Sequence, residues 1–428
     1  MAAPLAPAED ASLPSPAAKA APMITKVEIE NYKSIRRLTL ELGRMNVFIG
    51  ENGCGKSNIL EAIALGSAAS RDKLDNEYLV PRGIRVTKPD LMRSAFADSP
   101  SDILSVTFHE GRRRRGIAIV VPVADSRDSV PPRWQIVDSD SLRSGPLVAG
   151  APPTISALAH DHAARAVFLT TLAEELRDER SHGPLPRSAR GLVEALFRSA
   201  ISAMVDDESA AIPDFLPFAA ENSVLRRFED EGAVRPLGVR GEGIFQHLQE
   251  LSDRAPEAIA EINEHLELLD WFERFEVPSR DMAGRALRIR DRYLADGVVF
   301  DQKSANEGFL FVLFYLTLFI SPHTPRFFAV DNVDASLNPK LCQALMESLV
   351  TLAKKHEKQA IVTTHNPSLL DGLDLNDDDQ RLFVVSRDDD GATQIHRVPP
   401  PKPLGHEPPN RLSTAFMRGY IGGLPKNF

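Results

Sequence analysis

The sequence predicts an α/β fold built from the first and last thirds of the chain, with a mainly helical insertion between them. Three observations predict it. The short apolar run Met45–Ile49 leads into a glycine-rich loop and then a helix with one apolar face; apolar strands and a helical stretch alternate again from Arg326 to Val385; and helical spacing runs through the middle. Alternation of this kind implies parallel pairing of the strands.

In chain order, Met1–Pro22 is rich in Ala and Pro, lacks an apolar block and is expected to be a disordered tail. Residues 23–150 form the N-terminal half of the α/β unit. Val27 and Ile29, then Leu38, Leu40 and Leu42, recur at period two and predict two strands before Met45–Ile49. Asn58–Leu65 places Ile59, Leu60 and Ile63 on one helical face. Ile103–Phe108 and Ile117–Val121 read as strands around a turn from His109 to Gly116, and Ser126–Pro153 loses periodicity. Residues 151–300 are the insertion, with helical spacing over Thr154–Arg180, Gly191–Met204 and Pro256–Phe272, the last through Ile259, Ile262, Leu266 and Leu269. It lacks the sustained heptads of a long coiled coil. Residues 301–428 return to α/β character: a buried helix over Phe309–Ile320, strands at Arg326–Val330, Gln359–Thr363 and Leu382–Val385, and a helix over Pro339–His356.

Composition narrows the function. The chain has 428 residues, 43% hydrophobic and 26% charged, with 50 Lys+Arg against 60 Asp+Glu, which is globular and acidic. A formal charge of −10 confines any nucleic-acid contact to a local patch, for which the arginines from Arg112 to Arg115 at the predicted turn are the candidate; a solvated turn or a contact with a partner protein explains them equally. Cys54 and Cys342 are too few for a disulfide framework or a cysteine-rich zinc site, and suit a reducing cytoplasm. The longest apolar run, Phe309–Ile320, has 12 residues, short of the ~20 that span a membrane. His160 and His162 lack a third metal ligand nearby, and Leu424–Phe428 reads as an apolar cluster packed on the folded body.

The chemistry starts at Gly50-Glu51-Asn52-Gly53-Cys54-Gly55-Lys56-Ser57, which fits the phosphate-binding pattern G-x-x-x-x-G-K-[ST] between a strand and a helix. Small residues let successive backbone N–H groups turn inward around phosphate oxygens at a positive helix N-terminus. Lys56 adds a charge for the β- and γ-phosphates and Ser57 a hydroxyl for Mg²⁺. Gly50, Asn52, Gly53, Cys54, Gly55, Lys56, Ser57 and Asn58 are therefore the candidate nucleotide contacts. Phe327–Val330 is an apolar strand ending in Asp331, where such folds place the acid that orders Mg²⁺. The separation of 275 positions from Lys56 to Asp331 is too long for a simple GTPase and leaves room for the insertion. A small-molecule kinase with the same loop is a different reading, which requires an acceptor site with its own base.

With Asn31-Tyr32-Lys33-Ser34-Ile35 before the loop, Asp331 through Pro339 after the last strand, and Thr363-Thr364-His365-Asn366-Pro367 closing the next one, the sequence resembles the ABC-type ATPases of the RecF, SMC and OLD group. The likeness covers residues 24–66 and 303–370 directly; Pro236–Gly243 matches loosely. Within the group it is most similar to the compact, AAA_21-like ATPases of prokaryotic anti-phage defence. The resemblance implies an ABC-type head, ATP and Mg²⁺ as ligands, and a homodimer or higher oligomer closed by an ATP sandwich. It also implies a nuclease or other effector as partner, with DNA possible and no membrane. A RecF-like DNA-repair ATPase is the alternative.

By the same resemblance Ser304-Ala305-Asn306-Glu307-Gly308 stands where a signature segment reaches the partner's γ-phosphate, so Ser304, Asn306 and Gly308 join the binding residues. An ordinary helix N-terminus capped by Ser304 or Asn306 is the competing reading. His365 is the switch histidine. Asn332 departs from the family, which carries Glu after the Mg²⁺-associated acid; an amide holds water but cannot take its proton. Asp331, Asn332, Asp334 and His365 are the catalytic candidates, with Asp334 as the substitute carboxylate.

Overall fold

The computed structural model describes residues 23–71, 73–85, 89–94, 96, 103–111, 113–120, 135–138, 212–228, 234–278, 286–400 and 411–424. The tail expected over Met1–Pro22, the helices expected over Thr154–Arg180 and Gly191–Met204, and His160, His162 and Arg112 lie outside them. Strands are β1 (Lys26–Tyr32), β2 (Ile35–Glu41), β3 (Met45–Ile49), β4 (Ile103–Glu110), β5 (Arg113–Val120), β6 (Gln135–Asp138), β7 (Phe215–Phe218), β8 (Phe272–Glu276), β9 (Arg288–Asp291), β10 (Phe327–Val330), β11 (Gln359–Thr363), β12 (Gln380–Arg387) and β13 (Thr393–Arg397). Among the described residues the α-helices longer than one turn are α1 (Lys56–Ala69), α2 (Ile244–Arg254), α3 (Pro256–Leu266), α4 (Glu307–Ile320), α5 (Pro339–Lys355) and α6 (Leu412–Met417). No described helix is long and apolar enough to cross a membrane.

A six-stranded sheet in the order β13-β12-β3-β11-β10-β7 forms the centre. β3 lies parallel to both β11 and β12, so the N-terminal strand is held between two C-terminal ones. Its five residues are all buried. Met45, Val47 and Ile49 face a core shared with α2 to α5, while Phe48 faces a second core shared with α1 and the antiparallel sheet β2-β1-β4-β5-β6. Burial on both faces explains why β3 is continuously apolar rather than alternating. β1, with only one covered face, alternates: Val27 and Ile29 are fully buried, and Lys26, Glu28 and Glu30 are not. α4 is buried from Phe309 to Ile320 because it packs on both α3 and α5 as well as on the core side of the sheet.

Three expectations change. The turn read from His109 to Gly116 is tighter: β4 and β5 pair from Ile103↔Val120 to Glu110↔Arg113, which puts Arg113, Arg114 and Arg115 in a strand. The helix read over Pro256–Phe272 stops at Leu266, and Phe272 opens the β8–β9 hairpin. Within the stretch read as a helical insertion, Phe215–Phe218 is an edge strand of the central sheet, parallel to β10. Pro217 is tolerated there because an edge strand need not donate every ladder hydrogen bond.

The end of α4 is fixed by a buried cation. Lys358 Nζ donates to the Ser321 carbonyl at 2.8 Å, to Thr324 Oγ1 at 2.8 Å and to the Thr324 carbonyl at 3.0 Å. Burial, with a smaller contribution from Arg326, lowers its pKa from 10.5 to about 7. The native state therefore loses this proton near pH 7 while the unfolded chain keeps it to about 10.5, so stability rises with pH across that window and gains nothing from this group below it. In urea titrations between pH 6.5 and 9.5, Lys358→Met is expected to remove a slope of up to ~1.4 kcal/mol per pH unit. Parallel slopes for both proteins would show that the amine keeps its ordinary pKa.

Candidate functional site

The phosphate loop sits where β3 ends. At Gly50 φ is +149°, and a Cβ there would come within 2.1 Å of the Val385 carbonyl of β12. At Gly55, the N-cap of α1, φ is +112° and a Cβ would meet Thr393 Oγ1 at 2.2 Å. Both positions demand glycine for space as well as for backbone angle. Asn52 and Gly53 are exposed at the tip, and Cys54 is buried beneath it. Lys56 is 7% exposed, and its Nζ donates to the carbonyls of Gly50 at 2.8 Å and Glu51 at 3.0 Å. Burial lowers its pKa, opposed by Cys54 and Asp331.

The acid arrives from β10. Asp331 follows Val330, and its backbone N–H donates to the Phe218 carbonyl of β7 at 2.7 Å. Ser57 Oγ donates to Asp331 Oδ2 at 3.1 Å, and Thr363 Oγ1 donates to Asp331 Oδ1. The Asn332 N–H in turn donates to Thr363 Oγ1 at 2.8 Å. Parallel register brings this about: β10 pairs with β11, and β11 with β3, so three strand ends deliver Ser57, Asp331 and Thr363 to one point. Asn332 is exposed with φ +56°, a left-handed conformation that Asn tolerates better than most residues. Asp334 Oδ1 accepts the His365 backbone N–H at 3.3 Å. Desolvation and the Lys56 charge lower the His365 pKa against the pull of Asp334 and Asp331. The imidazole is therefore neutral at pH 7.

Hydroxyl and carboxylate oxygens converging at the foot of a glycine-rich loop form the donor set of a hard divalent cation beside phosphate, so these residues fit both Mg²⁺ and a nucleotide triphosphate. Ser304–Gly308 leads into α4. Asn306 Oδ1 accepts the Phe309 N–H at 2.7 Å and caps α4, while Ser304 is exposed. A Cβ on Gly308 would lie 3.5 Å from Ser336 and Leu337, in the loop that follows Asp331. Of the two readings of Asn306, the structure gives it the cap; Ser304 keeps a free face.

A second group of residues carries no sequence motif. Thr393 Oγ1 donates to the Cys54 carbonyl at 3.0 Å and lies 2.7 Å from Ser34 Oγ, which accepts from Asn58 Nδ2 at 2.8 Å. Arg387 Nε donates to the Gly53 carbonyl at 2.9 Å. Glu61 on α1 is buried and holds both Lys33, at 2.5 Å, and Arg85. Lys33-Ser34 was visible as part of the segment before the loop; Arg387 and Thr393 come from far along the chain and leave no local signal. At the other end, the segment after α6 reaches the loop, where a Cβ on Gly423 would lie 3.7 Å from Gly50 Cα. Leu424 packs on the core as expected, and residues 425–428 lie outside the described part.

Residues 45–371 match a family model described as "AAA domain, putative AbiEii toxin, Type IV TA system", known as AAA_21. A DNA double-strand break repair Rad50 ATPase of Sulfurisphaera tokodaii is 42% identical over 64 residues, 14% of this chain and 7% of that protein. An uncharacterized protein of Methanocaldococcus jannaschii is 42% identical over 67 residues, 14% of this chain and 31% of that one. The match thus spans under a third of either relative. Among solved structures, an SMC head bound to the C-terminal winged-helix domain of ScpA superposes with a TM-score of 0.51 at 15% identity, over 88% of this chain and 98% of that one. That likeness is one of fold: an ABC-type ATPase head.

Proposed function

Because the chain belongs to the AAA_21 family, whose membership implies ATP hydrolysis, we propose that it is a slow ATPase that works as a conformational switch, two copies closing around ATP. The observation that carries this reading is the convergence of Ser57, Asp331 and Thr363 beside Lys56. Lys56 leaves the Gly50 and Glu51 carbonyls to face phosphate oxygens. The N–H groups of the loop and of the α1 N-terminus gather the same oxygens. Ser57 and Asp331 are the residues that would hold Mg²⁺, which when bound steadies charge on the transferring phosphoryl group. Thr363 fixes the Asp331 carboxylate and the Asn332 backbone together, so water-positioning and acid groups keep one geometry. His365 offers a hydrogen bond at the γ-phosphate.

The sandwich requires that Ser304–Gly308 serve the partner's nucleotide. ATP with Mg²⁺ is accordingly expected to convert monomers to dimers, or to rearrange a dimer already present. Small-angle scattering with and without a non-hydrolysable analogue checks this, and identical profiles at saturating nucleotide would remove the sandwich.

Downstream, this reading has the switch control a nuclease or another effector protein in anti-phage defence; the toxin–antitoxin wording of the family description supports a place in a two-component system, without naming the partner. The Rad50 likeness supports a second reading, a DNA-repair ATPase that binds DNA itself. Tight duplex binding with a steep salt dependence, in the absence of any partner protein, would favour the second.

A further inference from the structure

Arg226 makes contacts that neither the motifs nor the phosphate site explain. Its Nη1 donates to three main-chain carbonyls, Gln302 at 3.2 Å, Lys303 at 2.7 Å and Ala305 at 2.9 Å. Its Nε donates to Asn222 Oδ1 at 2.9 Å, which fixes the plane of the guanidinium. A planar, permanently charged fork is suited to gathering several carbonyls at once. Lys303 and Ala305 flank Ser304, so with both neighbouring carbonyls drawn onto one cation the exposed Ser304 stands at the apex of the loop. Asn306, next in line, is already committed to capping α4.

The same segment reaches the acid. Phe218, eight residues before Arg226, accepts the Asp331 N–H through its carbonyl at 2.7 Å. Between them Ala219 and Glu221 are pinned by donation to the carbonyls of Val239 at 2.7 Å and Arg240 at 2.9 Å, and Leu225 is fully buried against Gly241. One short, doubly anchored stretch therefore touches the strand end that carries Asp331 and the loop that carries Ser304.

We propose that Arg226 is a positioning residue for the Ser304 loop: it shapes that loop to meet nucleotide held by the partner copy, and it does not act on nucleotide bound in its own chain. Through Phe218–Arg226 the state of the Asp331 end is coupled to the geometry that the partner meets. This rests on the sandwich reading.

The test uses the full chain with Arg226→Ala, Arg226→Lys and Asn222→Ala, each measured for affinity toward a fluorescent ATP analogue at dilutions where no dimer forms, for analogue-driven dimerisation, and for turnover. Arg226→Ala is expected to keep the monomer's affinity within about twofold, because its own phosphate loop is untouched, and to weaken dimerisation by at least about tenfold, since charge-assisted hydrogen bonds of this kind are individually strong. Asn222→Ala is expected to show the same split more weakly. Arg226→Lys, whose ammonium has three donors, recovers part of the dimerisation. Mixing Arg226→Ala with Lys56→Ala pairs an intact phosphate loop with an intact Ser304 loop across the interface, so the mixture is expected to turn over ATP faster than either protein alone.

If the unmodified chain does not assemble with the analogue, the sandwich falls and this assignment with it. If the unmodified chain assembles and Arg226→Ala assembles equally well, only the assignment falls. Loss of monomer affinity together with dimerisation, and no gain on mixing, would reduce Arg226 to a general structural contact and overturn the proposal. Should Arg226→Ala fold poorly, Asn222→Ala and Arg226→Lys carry the same comparison.

Discussion

Lys56→Ala is expected to weaken ATP binding at least ~100-fold, two charge-assisted contacts to phosphate being worth about 3 kcal/mol together. The structure explains why the loss cannot be made up locally. Lys56 is 7% exposed, so its charge acts where water screens it little. Its Nζ already bridges the Gly50 and Glu51 carbonyls at 2.8 and 3.0 Å, and thereby ties the start of the loop to the first turn of α1. Removing it takes away the phosphate partner and the donor for both carbonyls. A stability loss of about 1 kcal/mol is expected alongside the binding loss. Isothermal calorimetry on both proteins, with a thermal melt to confirm that the variant is folded, checks the pair of effects. Equal ATP affinity would show that the triphosphate binds elsewhere.

The second large effect concerns Asn332. This residue directly follows Asp331, with its N–H on the Thr363 hydroxyl that also binds Asp331, and on the proposed reading its side chain takes the place of the carboxylate that would polarise water. Asn332→Glu is expected to raise basal turnover by ~10²-fold, the lower end of what general-base help supplies. It should also cost about 1 kcal/mol of stability, because φ at this residue is +56° and a left-handed backbone disfavours longer side chains more than Asn. Asn332→Asp tolerates that backbone better and serves as the companion variant. Asp334 is engaged differently: its Oδ1 accepts the His365 N–H and so ties the two loops of the site together. Single-turnover hydrolysis separates the roles. Neutral Asn332→Glu and Asn332→Asp, with turnover abolished in Asp334→Ala, would make Asp334 the working carboxylate and leave slow hydrolysis without a cause.

What the sequence disclosed follows the range of the interactions that encode it. β3, β10 and β11 are short, apolar on both faces and punctuated by Gly50, Asp331 and Thr364, so local pattern alone locates their ends and with them the phosphate loop and the acid. Asn306 was legible as a cap because Asn is a favoured N-cap and stands just before the apolar stretch Phe309–Ile320, although the same letters also fit a signature segment. β7 was hidden: Phe-Leu-Pro-Phe is four residues long with a proline inside, and only its parallel partner β10 makes it a strand. β8 was hidden because Arg and Glu occupy its outer face. Arg387 and Thr393 were out of reach in principle, since their role comes from β12 lying beside β3 and from the register that follows.

That placement of β3 has a consequence for how the protein is made. The strand that launches the phosphate loop leaves the ribosome early, but both of its neighbours in the sheet, β11 and β12, are translated after residue 358. Thr393, which holds the Cys54 carbonyl, follows it by 339 residues. At ~5–20 residues per second β3 waits roughly 20–70 s for the two strands that flank it in the sheet. During that interval Val47 and Phe48, both wholly buried in the finished protein, have no sheet to enter and are surfaces for a chaperone. A nascent chain stopped anywhere in that interval displays the complete loop sequence yet has no built phosphate site, so nucleotide enters only once β11, β12 and Thr393 have been made.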